Sequence, residues 1–257
     1  MIVIGIDAAT WKVIDPNLKL LPNFRKLKET GESRVLKIDM KPISAAVWCS
    51  IFCGKSPEEH GNIEYVIDGK LQKREDIKVE FIWDILTEDG FDARALNIPF
   101  VVPPYNFNCE FKPIGFGLPV NEDEWNEELE RVTKKAIKII KDSPDFFAVV
   151  YTCLDRIQHF HWNEPIVLEW YKKLDKKLGE ILNHINEEEK LIVLSDHGFC
   201  NREEAKVQTL PKQANGREIK GDHSDEGILI VKNVSYEIKR PQDVFFAIKN
   251  EMEGLYG

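Results

Sequence analysis

Acid, imidazole and hydroxyl groups recur along this chain just beyond stretches that read as β-strands. Asp7 ends the apolar run MIVIGID, and Ser44 opens an apolar, helix-like segment. Asp155 and His159 follow FFAVVYT, Asp196 and His197 follow LIVL, and His223 precedes GILIV. Three carboxylates crowded together repel one another, and bound divalent cations remove that repulsion. Mixed aspartate and histidine donors suit zinc, or manganese, better than calcium or magnesium. Asp155 and His159 lie four residues apart, so one helical turn offers both to the same ion. Asp196 and His197 are adjacent; they act jointly only in an irregular turn, which Gly198 permits. Ser44 at a helix start meets the positive end of the helix dipole, beside N–H groups that suit a phosphate. Bound to a metal, its hydroxyl would lose its proton near neutral pH and become a nucleophile. Singly these signals are weak, since a serine N-cap or an Asp near a His is commonplace. Their joint occurrence at strand ends, in chain order, carries the reading. His161 and His184 read as structural, and Cys49 and Cys53 as core.

Such residues need a frame that brings them together. Short apolar runs alternate with longer amphipathic stretches, the rhythm of an α/β fold with a mostly parallel central sheet and helices on both faces. Strands are predicted over Ile2–Ile6, 35–39, 93–98, 146–152, Leu191–Leu194 and 227–231. Helices are predicted over 22–29, 44–52, 79–88, 122–141, 165–185 and 241–253, two of them stopped by Gly31 and Gly90. In open α/β sheets ligands bind outside the carboxyl ends of the strands. Topology alone therefore gathers Asp7, Ser44, Asp155, His159, Asp196 and His197 at one edge, and His223 joins them if its loop folds over it. Pro99, Pro103 and Pro104 make 97–105 a stiff connection, and 200–222 reads as polar and irregular. With no clean linker, residues 1–257 read as a single domain with small lid-like insertions near 64–80 and 106–124.

Composition narrows the partners. Thirty-five Lys and Arg against 44 Asp and Glu give a net charge of −9, so binding to duplex nucleic acid is not expected. A small phosphate ester is compatible, its charge being met by bound metal. Hydrophobic residues at 43% exclude disorder. Five scattered cysteines without a CxxC pair argue for a reduced, cytoplasmic setting. No run reaches the roughly 20 apolar residues of a membrane span, and the N-terminus lacks the basic start and cleavage site of a signal peptide.

In order, VIGIDAATW, KPISAAVWCSIFCGKSPEEHGN, LDRIQHFHW, LSDHGF and GDHSDEGILIV resemble motifs of the alkaline phosphatase superfamily. The branch they resemble most is the type I phosphodiesterase/nucleotide pyrophosphatase family, especially its short archaeal and prokaryotic members. LNIPFVVPP is similar to a strand-plus-proline element of those members. The second motif is the most specific, with Trp48, Gly54, Pro57, His60 and Gly61 behind the helix-start serine. The resemblance implies an alkaline-phosphatase-like core with a minimal cap and two divalent metal ions. Asp7, Ser44, Asp196 and His197 match the ligands of the ion that activates the nucleophile; Asp155, His159 and His223 match those of the second. Ser44, ten residues before Gly54, matches the nucleophile, which in the family attacks phosphorus in line and forms a covalent phospho-enzyme.

The implied activity is metal-dependent hydrolysis of a phosphodiester or nucleotide pyrophosphate. A phosphomonoesterase on the same site and a non-catalytic metal- or phosphate-binding protein are the alternatives. A sulfatase is disfavoured, because Ala46 and Trp48 stand where its maturation motif has Pro and Arg. The chain departs from the branch in having Ser44 where Thr is usual and Ala46 where Pro is common. The substrate-binding Asn that comes after the HG element has no clear match: Tyr65 occupies its spacing, with Asn62 nearby. No Arg lies between positions 35 and 69 to grip a dianion, which favours diesters.

Overall fold

The computed structural model describes residues 1–72, 74–99, 121–214 and 216–254. Its strands are, in chain order, β1 (Ile2–Ile6), β2 (Glu32–Lys37), β3 (Val66–Ile67), β4 (Lys70–Leu71), β5 (Ala93–Leu96) and β6 (Phe146–Tyr151). They continue with β7 (Leu191–Leu194), β8 (Gly198–Asn201), β9 (Gln213–Ala214), β10 (Arg217–Glu218), β11 (Gly221–Ser224) and β12 (Glu226–Lys232). Six of these form the central sheet, in the order β2-β12-β7-β1-β6-β5. β1 runs parallel to both β6 and β7, and β5 parallel to β6. β12 runs antiparallel to both β7 and β2, so five strands of the sheet share one direction and β12 alone is reversed.

The sequences IVIGI, FFAVVY and LIVL are buried at every residue. Continuous apolar runs of this kind are what a strand covered on both faces requires. On one face lie α3 (Ser44–Cys53), α5 (Ile82–Glu88) and α9 (Asp243–Glu253), with Trp48, Phe52, Trp83 and Phe245 in the core. On the other lie α2 (Pro22–Thr30), α6 (Glu122–Lys141), α7 (Cys153–His161) and α8 (Pro165–Leu182), with Trp125, Trp170 and Tyr171. The short helices α1 (Trp11–Ile14) and α4 (Pro57–His60) fill connections. α6 shows how locally its ends are set: the Asn121 side chain accepts from the Asp123 amide, with acids in the first turn and Lys138 and Lys141 in the last. α3 is different, buried at all its residues, so tertiary packing rather than amphipathicity holds it. No described helix is long and apolar enough to cross a membrane.

Several boundaries shift for physical reasons. β2 lies at Glu32–Lys37 rather than 35–39, because pairing with β12 and not hydrophobicity defines this half-exposed edge strand. β5 stops at Leu96, where Asn97 adopts a positive φ of 57°. α5 begins at Ile82 after an extended Phe81, and α8 ends at Leu182. The stretch 200–222 is not irregular throughout: β8 pairs antiparallel with β11, and β9 with β10. The insertion at 64–80 carries the β3–β4 hairpin, turned at Asp68 and Gly69, both at positive φ. The insertion at 106–124 falls largely outside the described residues, as do Pro103, Pro104 and Cys109.

Gly5 lets α3 sit close against β1. A Cβ there would lie 2.5 Å from Trp48 Cη2 and 2.7 Å from Val150 Cγ2. Gly5→Ala is therefore expected to lower unfolding stability by about 1–3 kcal/mol, the usual effect of overpacking a filled core. Urea denaturation checks this; an unchanged midpoint would mean that α3 has room to move.

Candidate active site

Three parallel strands end side by side, and the chain leaves each of them through residues with ligand chemistry. Beyond β1, Asp7 is followed by Ala8 in a left-handed conformation, φ 64°, uncommon for a residue with a side chain. The turn has uses: the Ala8 amide donates to Asp196 Oδ1 at 3.3 Å, and the Ala8 carbonyl accepts from Gln158 Nε2 at 2.9 Å. Trp48 Nε1 donates to Asp7 Oδ2 at 3.4 Å. Ser44, first residue of α3, has its Oγ 3.4 Å from Asp7 Oδ1 and 3.2 Å from His197 Nε2. His197 Nε2 is 3.4 Å from Asp7 Oδ1 and 3.3 Å from Asp196 Oδ2.

A second group adjoins the first. Asp155 Oδ1 lies 3.2 Å from His159 Nε2 and 3.1 Å from His223 Nε2, and the two Nε2 atoms are 3.1 Å apart. Asp155 and His159 share a face of α7, as their spacing implies, and β11 carries His223 back over the edge. The His197 and His223 rings stack with centroids 3.6 Å apart, which joins the groups. Every candidate residue read from the sequence is thus in this cluster. His161 lies apart, beside Glu164, and His184 is exposed.

The imidazoles are all held from behind. His159 Nδ1 donates to the Gly221 carbonyl at 3.1 Å, His197 Nδ1 to Gly198 at 3.0 Å and His223 Nδ1 to Pro42 at 2.6 Å. A carbonyl oxygen only accepts, so each Nδ1 carries the hydrogen and each Nε2 of a neutral ring turns a lone pair inward. Two lone pairs facing each other at 3.1 Å repel unless a proton or cation lies between them. Asp196 Oδ2 is buried and has no hydrogen-bond partner among the described residues. Carbonyl-backed imidazoles converging with carboxylates are the arrangement that orients metal ligands. The donors present therefore fit divalent ions.

Without a cation the pocket gathers protons. Burial opposes charge on His197, but Asp196 and Asp7 outweigh it and push its pKa up to about 10. Burial and the neighbouring Asp7 hold the Asp196 carboxyl well above the usual carboxylate range. Burial also works against ionised Asp155, yet His159 and His223 keep it well below that range. His223 is lowered, by burial and by the charge of His197.

Cys49, Cys53 and His60 form another group of donor atoms close together. His60 Nδ1 accepts from the Asn62 amide at 3.1 Å, so Nε2 bears the hydrogen and is directed at Ser50 Oγ, 2.9 Å away. Burial lowers the His60 pKa to about 4, and the ring stays neutral. Both nitrogens are engaged inside the protein, and the thiols are core, as expected. Asn62 is likewise engaged, its Nδ2 donating to the Ala45 carbonyl at 2.8 Å. Sequence reasoning missed the backing carbonyls, which have no side-chain signal. It also missed Gln158 and the Trp48 bond to Asp7.

The family model described as type I phosphodiesterase / nucleotide pyrophosphatase matches residues 1–251. The chain belongs to that family. No curated protein matches it. Among solved structures it is similar to murine ectonucleotide pyrophosphatase / phosphodiesterase 5, with a TM-score of 0.71 and 12% identity over 98% of this chain and 95% of that one. An inactive form of that murine protein in complex with AMP gives 0.68 and 12%, over 98% and 94%. Phosphonoacetate hydrolase from Sinorhizobium meliloti 1021, in complex with phosphonoformate, gives 0.62 and 17% over 84% of this chain. This phosphodiesterase-family chain spans 58% of the hydrolase's length.

The His197 shift sets a pH dependence for the metal-free protein. Its value near 10, against an ordinary 6.5, means that its stabilisation is complete below pH 6.5 and is lost as pH rises towards 10. The raised Asp196 acts in the same sense. Chelator-treated protein is expected to melt at progressively lower temperature across that window, with His197→Gln flattening the decline. A melting temperature that rises across it would contradict this reading.

Proposed function

We propose that the chain hydrolyses phosphodiester or nucleotide pyrophosphate bonds through a phosphorylated Ser44. The observation that carries this reading is the Ser44 hydroxyl at a helix start, within reach of His197 and Asp7, beside imidazoles whose lone pairs all face one buried pocket. Asp7, Ser44, Asp196 and His197 would hold one divalent ion, and Asp155, His159 and His223 the other. Zinc suits this nitrogen and oxygen donor set, with manganese next. When bound, such ions lower the pKa of a coordinated hydroxyl and neutralise charge on the attacking and leaving oxygens.

The chain's own residues then have defined tasks. Ser44 Oγ attacks phosphorus as its proton is lost to solvent, and the bond to the leaving group breaks, its oxygen departing from a phosphodiester as an alcohol that takes up a proton, or from a pyrophosphate as a phosphate. Water next attacks the phosphoserine, freeing Ser44 and releasing the phosphate product. The start of α3 directs its dipole at the phosphoryl group. The His159, His197 and His223 rings stay fixed by their carbonyl bonds, so the pocket need not reorganise during reaction. Ligands as small as the AMP and phosphonoformate found with the structural relatives are in keeping with a small phosphate-ester substrate. We read the chain as one domain, supported by clusters of core residues on both faces of one sheet. The free, buried Cys49, Cys53, Cys153 and Cys200 support a reducing, cytoplasmic setting.

Turnover of bis-(p-nitrophenyl) phosphate against p-nitrophenyl phosphate by metal-reconstituted protein tests the activity. Ser44→Ala is expected to cost about 1000-fold or more in kcat, the scale seen when a nucleophile is removed, with metal content kept. Equal turnover by that variant would remove Ser44 from the mechanism, and preference for the monoester would make the protein a phosphatase. Asp155→Ala or His223→Ala is expected to lose one of two bound equivalents by elemental analysis. Retention of both at normal affinity would contradict the second site.

A further inference from the structure

Tyr65 has no part in the ligand set, yet its side chain is hydrogen-bonded to Ser44 and lies within the fields of Asp7, Asp155 and Asp196. Its ring packs on Ile43, Ala45 and Ala46, the start of α3 on either side of the nucleophile. The main chain holds it there. The Tyr65 carbonyl accepts from the Gln72 amide at 2.9 Å, closing the β3–β4 hairpin beneath it. One residue earlier, Glu64 pairs with Lys41 of the β2–α3 connection at 2.6 Å. The insertion at 64–80 thus brings a phenol to the helix start from a direction that owes nothing to the strand ends.

Among the described residues, the other side chains within hydrogen-bond reach of Ser44 Oγ are Asp7 and His197. An ionised carboxylate only accepts, and in the metal-loaded protein the His197 Nε2 lone pair would be taken up by the ion, so neither would offer a hydrogen to a substrate oxygen. No described lysine or arginine joins them. The phenol is the one neutral donor of the three. A group this close to Oγ is also close to the non-bridging oxygens of any phosphorus that Oγ bonds, since those oxygens lie one tetrahedral edge away.

We propose that the Tyr65 hydroxyl donates a hydrogen bond to a non-bridging oxygen of the phosphoryl group handled at Ser44, so that this chain contacts its substrate through a residue of the 64–80 hairpin. This rests on the phosphoesterase reading above. The hydroxyl moves from Ser44 in the free protein to the phosphoryl oxygen when substrate is present; no bond is made or broken at Tyr65. A single neutral donor suits a singly charged phosphodiester, where a doubly charged monoester would call for a cation.

Tyr65→Phe keeps the ring on Ile43, Ala45 and Ala46 and removes only the oxygen. Four quantities are read on metal-reconstituted protein: bound metal, melting temperature, kcat and KM on bis-(p-nitrophenyl) phosphate, and the Kd for inorganic phosphate by calorimetry. The inference expects unchanged metal content and melting, and kcat/KM lower by roughly 10- to 100-fold, the range for a hydrogen bond to a charged group. The loss falls mainly on kcat, and phosphate binds more weakly. Kinetics and phosphate affinity both within twofold of the wild type would overturn it. Loss of metal together with activity would overturn it too, by making Tyr65 a support for the metal pocket. If the wild type binds phosphate without turning over the diester, the phosphoesterase reading fails, and the phosphate Kd of Tyr65→Phe alone decides the contact. A wild type that does neither overturns both.

Discussion

Three imidazole rings pinned from behind by main-chain carbonyls are what the rest of this sheet edge depends on. Because Gly221, Gly198 and Pro42 each take an Nδ1 hydrogen, the Nε2 atoms of His159, His197 and His223 must look inward, where Asp7, Asp155 and Asp196 already converge. Burying so many unpaired acceptors in a low-dielectric interior is costly unless positive charge enters with them. In the bare protein, protons gathered around His197 supply it; divalent ions would do so more completely. The near-parallel stack of His197 on His223 puts the two halves of the pocket in direct contact.

The fold meets that demand with long-range pairings. The parallel strands β1, β6 and β7 bring Asp7, the α7 residues and the Asp196–His197 turn to one end, while Gly5 lets α3 approach until Ser44 and Trp48 reach Asp7. The reversed strand β12 matters as much, because the segment leading into it must pass over the edge. There β11 pairs with β8, supplying both His223 and the Gly221 carbonyl that fixes His159. The wholly buried Asp222 locks this segment, its carboxylate accepting from the Thr209 amide and hydroxyl and from the His223 amide.

The clustered acid and imidazole residues are more legible in the sequence than the groups that support them. IVIGI, FFAVVY and LIVL declare themselves as buried strands by unbroken hydrophobicity, and the residues just beyond such strands face the ligand edge whatever the loops do. Strand direction was not legible: nothing local in GILIV says that it pairs antiparallel with LIVL. The four-residue strands β8 and β11 are too short and polar for their period to stand out, which is why 200–222 reads as irregular. The carbonyls that orient the imidazoles belong to a backbone every residue shares. Tyr65 was visible only as a departure in spacing; its meeting with Ser44 needs the hairpin that turns at Asp68 and Gly69.

On the proposed mechanism two divalent ions occupy the two donor groups, with Ser44 at the first. Anomalous diffraction from a zinc-loaded crystal, with data on both sides of the zinc absorption edge, tests it most directly. The account expects two peaks, one among Asp155 Oδ, His159 Nε2 and His223 Nε2, the other among Asp7, Asp196, His197 Nε2 and Ser44 Oγ. A single peak, or zinc held instead by Cys49, Cys53 and His60 with the strand-end pocket bare, would contradict it.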